Sequence, residues 1–246
     1  MEEITIETIN LSKAFGNFWA VKNLNLKVNK GEIVAFLGPN GAGKTTTIRM
    51  LIGILKPTQG KCKLFGLSPQ KDREKIMRKI GYVPDDPYFY DYLTGREIIN
   101  FAISMHGIAG EETEDRILKL IKELDLENDL EEYTMNYSRG MKKKLGLICA
   151  LIHDPDLLIL DEPTTSLDPI AAKKVHKIIL KYAQKGKTVF FSTHILSQAE
   201  RLSKKAAIIF KGRLAAYDTI ENLKKDLKEG SNLEDVFFAL AKEYGY

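Results

Sequence analysis

Short apolar runs alternate with helical patterns along most of this chain. Ile4, Ile6 and Ile9 predict a first strand, and a loop through Gly16 and Asn17 follows it. Further short apolar runs predict strands at residues 33–38, at Cys62, Leu64 and Phe65, and at residues 157–160, 188–192 and 206–210. Strands that alternate with helices predict a mixed, mainly parallel sheet with flanking helices, an α/β fold.

The helical patterns concentrate in the middle of the chain. Residues 71–132 are mostly helical in pattern; Ile117, Leu120, Ile121 and Leu124 share one helix face. We therefore expect a helical subdomain at about residues 86–155, inserted in the sheet. Other helices are predicted at residues 43–55, before Lys56-Pro57, and at residues 169–184.

The end of the chain has its own helical pattern. Leu233, Val236, Phe237 and Leu240 share one helical face, which predicts a segment that packs on the rest of the molecule. A regulatory or dimerising role for this segment is the alternative. We predict one domain at residues 1–217 and a C-terminal helical tail at residues 218–246.

Composition is that of a folded globular chain. Of 246 residues, 44% are hydrophobic and 28% are charged, so disorder is not expected. The net charge of +4 is a mild excess, and nucleic-acid binding would need clustered positive charge. We read the basic run at residues 142–144 as a solvated helix face rather than a nucleic-acid patch. No nucleic-acid partner is expected.

The cysteines, the N-terminus and the apolar runs indicate whether the chain is exported or inserted in a membrane. Cys62 and Cys149 each lie in an apolar stretch without ligand neighbours, so both are predicted to be buried, reduced thiols. The acidic, alternating N-terminus favours a strand over an export signal. The longest apolar run, residues 145–152, is far shorter than the roughly 18 residues of a membrane helix. A membrane role would therefore need a partner.

A phosphate-binding loop is predicted after the strand at residues 33–38. Residues 38–45, GPNGAGKT, match the pattern G-x-x-x-x-G-K-[ST] between a strand and a helix. Backbone N–H groups of such a loop face phosphates, Lys44 reaches the β- and γ-phosphates, and Thr45 can bind Mg²⁺. A chance glycine-rich turn is the alternative, and the strand–loop–helix context argues against it. The predicted ATP-binding residues here are Gly38, Pro39, Asn40, Gly41, Ala42, Gly43, Lys44, Thr45 and Thr46.

Two carboxylates end the apolar strand at residues 157–160. Asp161 is suited to hold Mg²⁺, and Glu162 to act as a general base on a water molecule. An ordinary strand that leaves the core through acidic turn residues is the alternative. The phosphate loop in the same chain favours the catalytic interpretation.

These segments together resemble the ATPases of ATP-binding cassette (ABC) transporters. Residues 161–169, DEPTTSLDP, resemble the metal-binding strand end and the D-loop of that family, with Asp168 in the D-loop. Residues 137–141, YSRGM, resemble its signature loop, usually Leu-Ser-Gly-Gly-Gln; Ser138 and Gly140 match, whereas Tyr137, Arg139 and Met141 depart. His194 matches its switch histidine. The resemblance extends from about residue 3 to residue 217.

The resemblance implies a fold, an activity and partners. The expected fold is a P-loop NTPase core with N-terminal antiparallel β elements and an inserted α-helical subdomain. The expected activity is hydrolysis of ATP with Mg²⁺, catalysed by Glu162 and His194. Two cassettes, as a homodimer or pseudo-dimer, would close head-to-tail around two ATP molecules and drive an integral-membrane permease. The chain would be cytoplasmic, peripheral on the inner face of the membrane.

Two further positions match the family pattern less closely. Phe15 resembles the aromatic residue that stacks on adenine; a core aromatic is the alternative, and Phe18 and Trp19 are nearby substitutes. Asp85 stands where the family typically carries glutamine. Its carboxylate could bind Mg²⁺ or water, and it adds negative charge near the γ-phosphate.

The aromatic segment at residues 87–92, PYFYDY, permits two interpretations. In the family this region lines the groove that receives a short helix of the membrane subunit, and an exposed aromatic patch fits a partner site. Local packing of the helical subdomain is the alternative.

Three functions are compatible with a phosphate loop. The first is a transporter ATPase that acts with membrane subunits, and the similarity of Tyr-Ser-Arg-Gly-Met to the signature loop of single-cassette exporters favours export. The second is a soluble ABC-type ATPase that acts as a switch in nucleic-acid or ribosome processes, which usually has a coiled-coil insertion or two linked cassettes. The third is a small-molecule kinase, which the signature loop and the pair Glu162–His194 disfavour.

Overall fold

The computed structural model describes residues 3–225 and 231–245. In this part of the chain, three strands form an antiparallel sheet: β1 (Ile4–Phe15), β2 (Phe18–Asn29) and β4 (Gln59–Leu64). Their order is β2-β1-β4. The turn at Gly16 and Asn17 between β1 and β2 is where the sequence predicts a loop.

A second sheet contains the other described strands. They are β3 (Ile33–Leu37), β5 (Ile80–Val83), β6 (Leu157–Asp161), β7 (Thr188–Thr193), β8 (Lys205–Phe210) and β9 (Arg213–Thr219). Their order is β5-β6-β7-β3-β8-β9, and every neighbouring pair is parallel except β8 and β9. The predicted α/β class with a mainly parallel sheet is confirmed.

Helices flank this sheet. They are α1 (Lys44–Leu51), α2 (Arg73–Met77), α3 (Gly95–His106), α4 (Glu111–Glu123), α5 (Arg139–Leu151), α6 (Pro169–Gln184), α7 (Leu196–Leu202), α8 (Ile220–Lys224) and α9 (Leu233–Glu243). Helices α3, α4 and α5 lie between β5 and β6, within the segment predicted as a helical subdomain. The exact domain boundaries remain a prediction. No described helix is both long enough and apolar enough to cross a membrane.

The core lies on both faces of the parallel sheet. Successive residues of β3 point to opposite faces, so Val34 and Phe36 pack in one cluster while Ala35 and Leu37 pack in another. The first cluster fills the space toward β1, β2 and α1, and the second packs toward the helices α3 to α6 and α9. A strand buried on both faces reads as a continuous apolar run, which explains why β3 was predictable.

Some elements differ from the pattern-based expectation. Helix α1 ends at Leu51 instead of near residue 55, because Gly53 adopts a left-handed conformation (φ 75°) that terminates helices. Phe65 lies outside β4, in a turn with φ 53°. Strand β5 interrupts the segment predicted as mostly helical, since four residues are too few to reveal a period.

The tail packs on the domain, as its apolar face predicts. Leu233 and Val236 of α9 are buried, and the ring of Phe237 lies 4.9 Å from that of Phe210 in β8. Residues 226–230 and 246 of the predicted tail lie outside the described residues.

Candidate functional site: a phosphate loop and two acidic strand ends

The candidate residues lie at one edge of the parallel sheet. Strands β3, β5, β6 and β7 run in the same direction, so their carboxyl ends meet at that edge. The phosphate loop follows β3, Asp85 follows β5, Glu162 follows β6 and His194 follows β7. Ligands of open parallel α/β sheets bind at this edge.

Glycines give the phosphate loop its shape. Gly43 has φ 106°, and a Cβ atom there would lie 2.4 Å from the carbonyl oxygen of Ala20. A Cβ atom on Gly38 would lie 2.5 Å from the carbonyl oxygen of Ile209. Larger residues would therefore displace the loop from the end of α1, where free N–H groups and the helix dipole favour anions.

Lys44 lies inside this loop, with only 6% of its surface exposed. Its ammonium group donates hydrogen bonds to the carbonyl oxygens of Gly38, at 2.7 Å, and Pro39, at 3.3 Å. The same Nζ atom lies 3.4 Å from Oε1 of Glu162. The loop cation and the second strand-end carboxylate therefore meet in one site.

Asp161 is buried at the end of β6. Its Oδ1 atom accepts a hydrogen bond from the Ser192 hydroxyl group, whereas its buried Oδ2 atom has no hydrogen-bond partner within the described residues. Burial raises the pKa of Asp161, and the hydroxyl groups of Ser192 and Thr45 oppose that rise. A buried carboxylate oxygen beside a threonine hydroxyl is a ligand set that suits a hard cation such as Mg²⁺.

Glu162 points in a different direction from Asp161. Its backbone is left-handed (φ 50°), and its N–H group donates to Ser192. Its side chain is 10% exposed, with Oε2 3.0 Å from Nδ1 of His194. His194 is 44% exposed, so this pair faces the opening of the site. A carboxylate held by a histidine at an open edge is suited to orient a water molecule.

An open cleft of about 360 Å³ lies beside the phosphate loop. Its lining comprises Phe15, Phe18, Ala20, Pro39, Asn40, Gly41, Gly43, Lys44, Thr45, Thr46, Asp85 and Glu162. Phe15 and Phe18 are 50% and 65% exposed, so neither is a core aromatic. Trp19 does not line this cleft, because successive residues of β2 face opposite sides of the sheet.

The basic run after the signature loop is not a uniformly solvated face. Lys143 is buried, whereas Lys142 and Lys144 are partly exposed. Its Nζ atom lies 3.1 Å from Oδ1 of Asp85 and donates to the carbonyl oxygen of Glu162 at 2.6 Å. The prediction of a solvated face was wrong for Lys143, because two acceptors from loops distant in sequence compensate for its burial.

The predicted signature loop opens helix α5. Ser138 caps the helix, with its hydroxyl oxygen accepting from the N–H of Met141, and Arg139 is exposed. Gly140 packs against the next loop, where a Cβ atom would lie 3.0 Å from the carbonyl oxygen of Ser166. None of the residues 138–141 lines the described cleft of the same chain.

Two further residues near the signature loop have structural partners. The Tyr137 hydroxyl group donates to the carbonyl oxygen of Asp129 at 2.7 Å, which gives this buried ring a defined position. Asp168 caps α6 through hydrogen bonds from the N–H groups of Ala171 and Ile170, and these bonds lower its pKa. Its place in the predicted D-loop is thus at a helix start.

Comparisons with known proteins identify the family. A family model described as ABC transporter matches residues 21–165. The bacitracin transport ATP-binding protein BcrA of Bacillus licheniformis is 41% identical over 221 residues, which cover 89% of this chain and 71% of that protein. The uncharacterized ABC transporter ATP-binding protein YxlF of Bacillus subtilis (strain 168) is 38% identical, over 88% of this chain and 71% of that protein.

Solved structures agree in fold. An ATP-binding subunit of an ABC transporter superposes with a TM-score of 0.91 at 32% identity, covering 96% of this chain and 99% of that one. A dimeric, post-hydrolysis state of the ATP-binding cassette MJ0796 with ADP and phosphate gives a TM-score of 0.79 at 26% identity, covering 87% of this chain and 98% of that one. The chain therefore belongs to the ABC transporter family, as an ATP-binding subunit with ATPase activity.

Proposed function

We propose that this chain hydrolyses ATP in the cleft at the carboxyl edge of its sheet and thereby drives a separate membrane permease. The observation that carries the proposal is the connected set Lys44, Glu162 and His194. Lys44 Nζ lies 3.4 Å from one carboxylate oxygen of Glu162, and His194 Nδ1 lies 3.0 Å from the other. Phosphate binding and water activation thus share one site. The comparisons do not favour the alternative of a soluble nucleic-acid or ribosome switch.

Residues of the phosphate loop would bind the triphosphate. The N–H groups at the start of α1 face the phosphates, and Lys44 neutralises charge on the β- and γ-phosphates. Thr45 and Asp161 would hold Mg²⁺, with the unpartnered Oδ2 atom of Asp161 as the buried oxygen ligand. When bound, Mg²⁺ neutralises charge that develops on the phosphate oxygens. Asp85 lines the same cleft and is a further candidate ligand through the oxygen that Lys143 does not contact.

Hydrolysis then depends on placing a water molecule. Phosphoryl transfer has a loose transition state, so catalysis consists of positioning and charge neutralisation. We assign the orientation of the water to Glu162, as general base. His194 holds the Glu162 carboxylate by donating from Nδ1, and only the doubly protonated imidazolium would also donate from Nε2 toward the γ-phosphate.

Adenine would stack on Phe15. The Phe15 ring lines the cleft and is half exposed. The Nζ atom of Lys13, on the same strand, lies 5.2 Å from the centroid of the ring. Phe18, also on the cleft, is the second candidate ring. Both side chains present an exposed aromatic face on which a base can stack.

Replacing Phe15 by alanine is expected to weaken ATP binding by about 1–3 kcal/mol, the range for base stacking on an aromatic side chain. Phe15→Trp should keep the affinity. Titration with a fluorescent ATP analogue measures both. Trp19→Ala is the matched control, because Trp19 lies outside the cleft. Normal binding in Phe15→Ala together with a loss in Phe18→Ala would assign the stacking to the other ring.

Two cassettes would close head-to-tail around two ATP molecules. Residues 138–141 do not line the cleft of their own chain, and Ser138 and Arg139 are exposed at the start of α5. A helix start of this kind suits the γ-phosphate held by a second copy. In this arrangement Gly140 and Asp168 meet at the face between copies, since Gly140 packs on the loop that leads to Asp168.

The permease would dock on the face beside α3. Tyr88, Tyr90 and Tyr92 are 79%, 66% and 80% exposed, whereas Phe89 between them packs on the core. The aromatic segment therefore serves local packing through Phe89 and leaves three rings outside. On α3, Phe101 and Met105 are exposed and line a groove of about 930 Å³. Exposed rings beside an apolar groove fit a short apolar helix of a membrane partner.

This docking proposal places the chain on the inner face of the cell membrane, held there by the permease. Export is the direction that Tyr-Ser-Arg-Gly-Met favours by its similarity to single-cassette exporters. The bacitracin transport ATP-binding protein BcrA and the probable multidrug ABC transporter ATP-binding protein YbhF of Escherichia coli (strain K12) support a role in drug transport.

Purification of the tagged chain from detergent-solubilised membranes of its own cell tests the proposal. We expect one polytopic membrane protein to co-purify in near-stoichiometric amount, and the double variant Tyr88→Ser, Tyr92→Ser to lose it. Phe238→Ser is the control, since Phe238 is a 56% exposed ring on α9, outside the proposed face. Recovery of only soluble partners, or equal recovery with the tyrosine variant, would contradict the docking surface.

A further inference from the structure

A buried lysine connects three parts of the site. Lys143 lies in the first turns of α5, and its side chain is only 4% exposed. An ammonium group seldom lies that deep without compensating partners. Here the partners are the Glu162 carbonyl oxygen, at 2.6 Å, and Oδ1 of Asp85, at 3.1 Å. They belong to the segments that follow β6 and β5, so one side chain joins α5 to two strand ends.

The bond to the Glu162 carbonyl bears on the direction of the catalytic carboxylate. Glu162 is a non-glycine residue in the left-handed region, with φ 50°. Such a conformation persists only where surrounding contacts hold it. The Glu162 N–H group donates to Ser192, and its carbonyl oxygen accepts from Lys143 at 2.6 Å and from the Thr165 N–H group at 3.3 Å. Loss of the ammonium group would leave this carbonyl with only the longer bond from Thr165, which lies in the same turn as Glu162.

The bond to Asp85 bears on charge. Asp85 lines the cleft, and its side chain is 52% exposed. An unpaired carboxylate there would repel the γ-phosphate. Lys143 supplies the opposite charge from the buried side and leaves the cleft surface of Asp85 open. The ammonium group of Lys143 therefore offsets the negative charge that Asp85 adds near the γ-phosphate.

We propose that Lys143 is a positioning residue for hydrolysis, which fixes the backbone of Glu162 and neutralises Asp85 beside the bound γ-phosphate. The inference rests on the proposed function. Because the two contacts act on different steps, their loss has separable effects. The contact with the Glu162 carbonyl affects kcat, since it directs the base. The contact with Asp85 affects KM for ATP, since it sets the charge that the triphosphate meets.

Steady-state phosphate release by the full chain tests this separation. Lys143→Met is expected to lower kcat about 10–100-fold, as misplacement of a catalytic group by about 1 Å does. It should also raise KM for ATP severalfold. In the double variant Lys143→Met, Asp85→Asn, the KM should fall below that of Lys143→Met, because the unpaired negative charge is gone, while kcat stays low. A purely structural role would not divide kcat and KM in this way.

Lys187→Met is the matched control. Lys187 is also a mostly buried lysine that bonds to a backbone carbonyl, that of Asp154 at 3.0 Å, and to a carboxylate, that of Asp156 at 3.1 Å. It precedes β7, at the amino edge of the sheet, remote from the cleft. Its kcat and KM are expected to stay close to those of wild type.

Lys143→Arg is the second variant, should Lys143→Met not fold. The guanidinium group keeps the charge beside Asp85, so KM should hold, but its different shape displaces the Glu162 carbonyl and kcat should fall. If both Lys143 variants kept the wild-type kcat while Glu162→Gln still lost turnover, the inference would be overturned. If Glu162→Gln also kept full turnover, the assignment of Glu162 as the base in the proposed function would be wrong, and Lys143 would have no base to position.

Discussion

Glu162→Gln is expected to lower ATP turnover roughly 10²–10⁴-fold, the contribution of general-base assistance. The glutamine keeps the size of the side chain and can still contact Lys44 and His194, but it cannot accept a proton from water. ATP affinity should change little, because the triphosphate is held by the phosphate loop. Phosphate release and equilibrium nucleotide binding, measured on the same preparation, separate the two quantities.

The same pair of measurements applies to His194→Ala, which removes the donor 3.0 Å from Glu162 Oε2 and should also lower turnover at near-normal affinity. Glu123→Gln is the control, since that carboxylate also pairs with a lysine, Lys181 at 2.7 Å, but lies on α4 away from the cleft. Near-normal turnover in Glu162→Gln would remove it as the base and would direct attention to Asp85, the other carboxylate on the cleft.

Lys44→Ala is expected to abolish ATP binding or nearly so. Lys44 is the ammonium group inside the loop, and its contacts with the carbonyls of Gly38 and Pro39 hold it at the end of β3. Alanine removes the charge that neutralises the β- and γ-phosphates and leaves Glu162 without its 3.4 Å partner. Both changes make the cleft more negative toward a triphosphate.

Titration with an ATP analogue measures this loss. Lys205→Ala is the control, since Lys205 pairs with Glu32 at 2.6 Å at the amino end of β8, and it should bind ATP as wild type does. An affinity of Lys44→Ala within a few fold of wild type would contradict the assigned role of the loop cation.

Much of the cleft could be predicted because its residues form local patterns. The phosphate loop, Asp161 and Glu162 each lie within a short segment that directly follows an apolar strand. Parallel strands bring such segments to one edge. The order of segments therefore predicts which side chains come together, and in the structure Glu162 lies 3.4 Å from Lys44 and 3.0 Å from His194.

Other features depend on contacts that no local pattern contains. Lys143 pairs with Asp85 across 58 positions, so a basic run gives no sign that one of its members is buried. The alternation of Leu24, Leu26 and Val28 signals the second half of β2, but Asn23 (φ 56°) interrupts it, so it does not indicate that Phe18 and Ala20 line the cleft.

Sedimentation velocity of Glu162→Gln with Mg-ATP tests the central claim most directly. Blocked hydrolysis should hold two chains together around two ATP molecules, each ATP between the Lys44 loop of one copy and Ser138 of the other. We predict a dimer with Mg-ATP and a monomer with Mg-ADP. A strict monomer at high protein and saturating Mg-ATP would contradict the paired-cassette account.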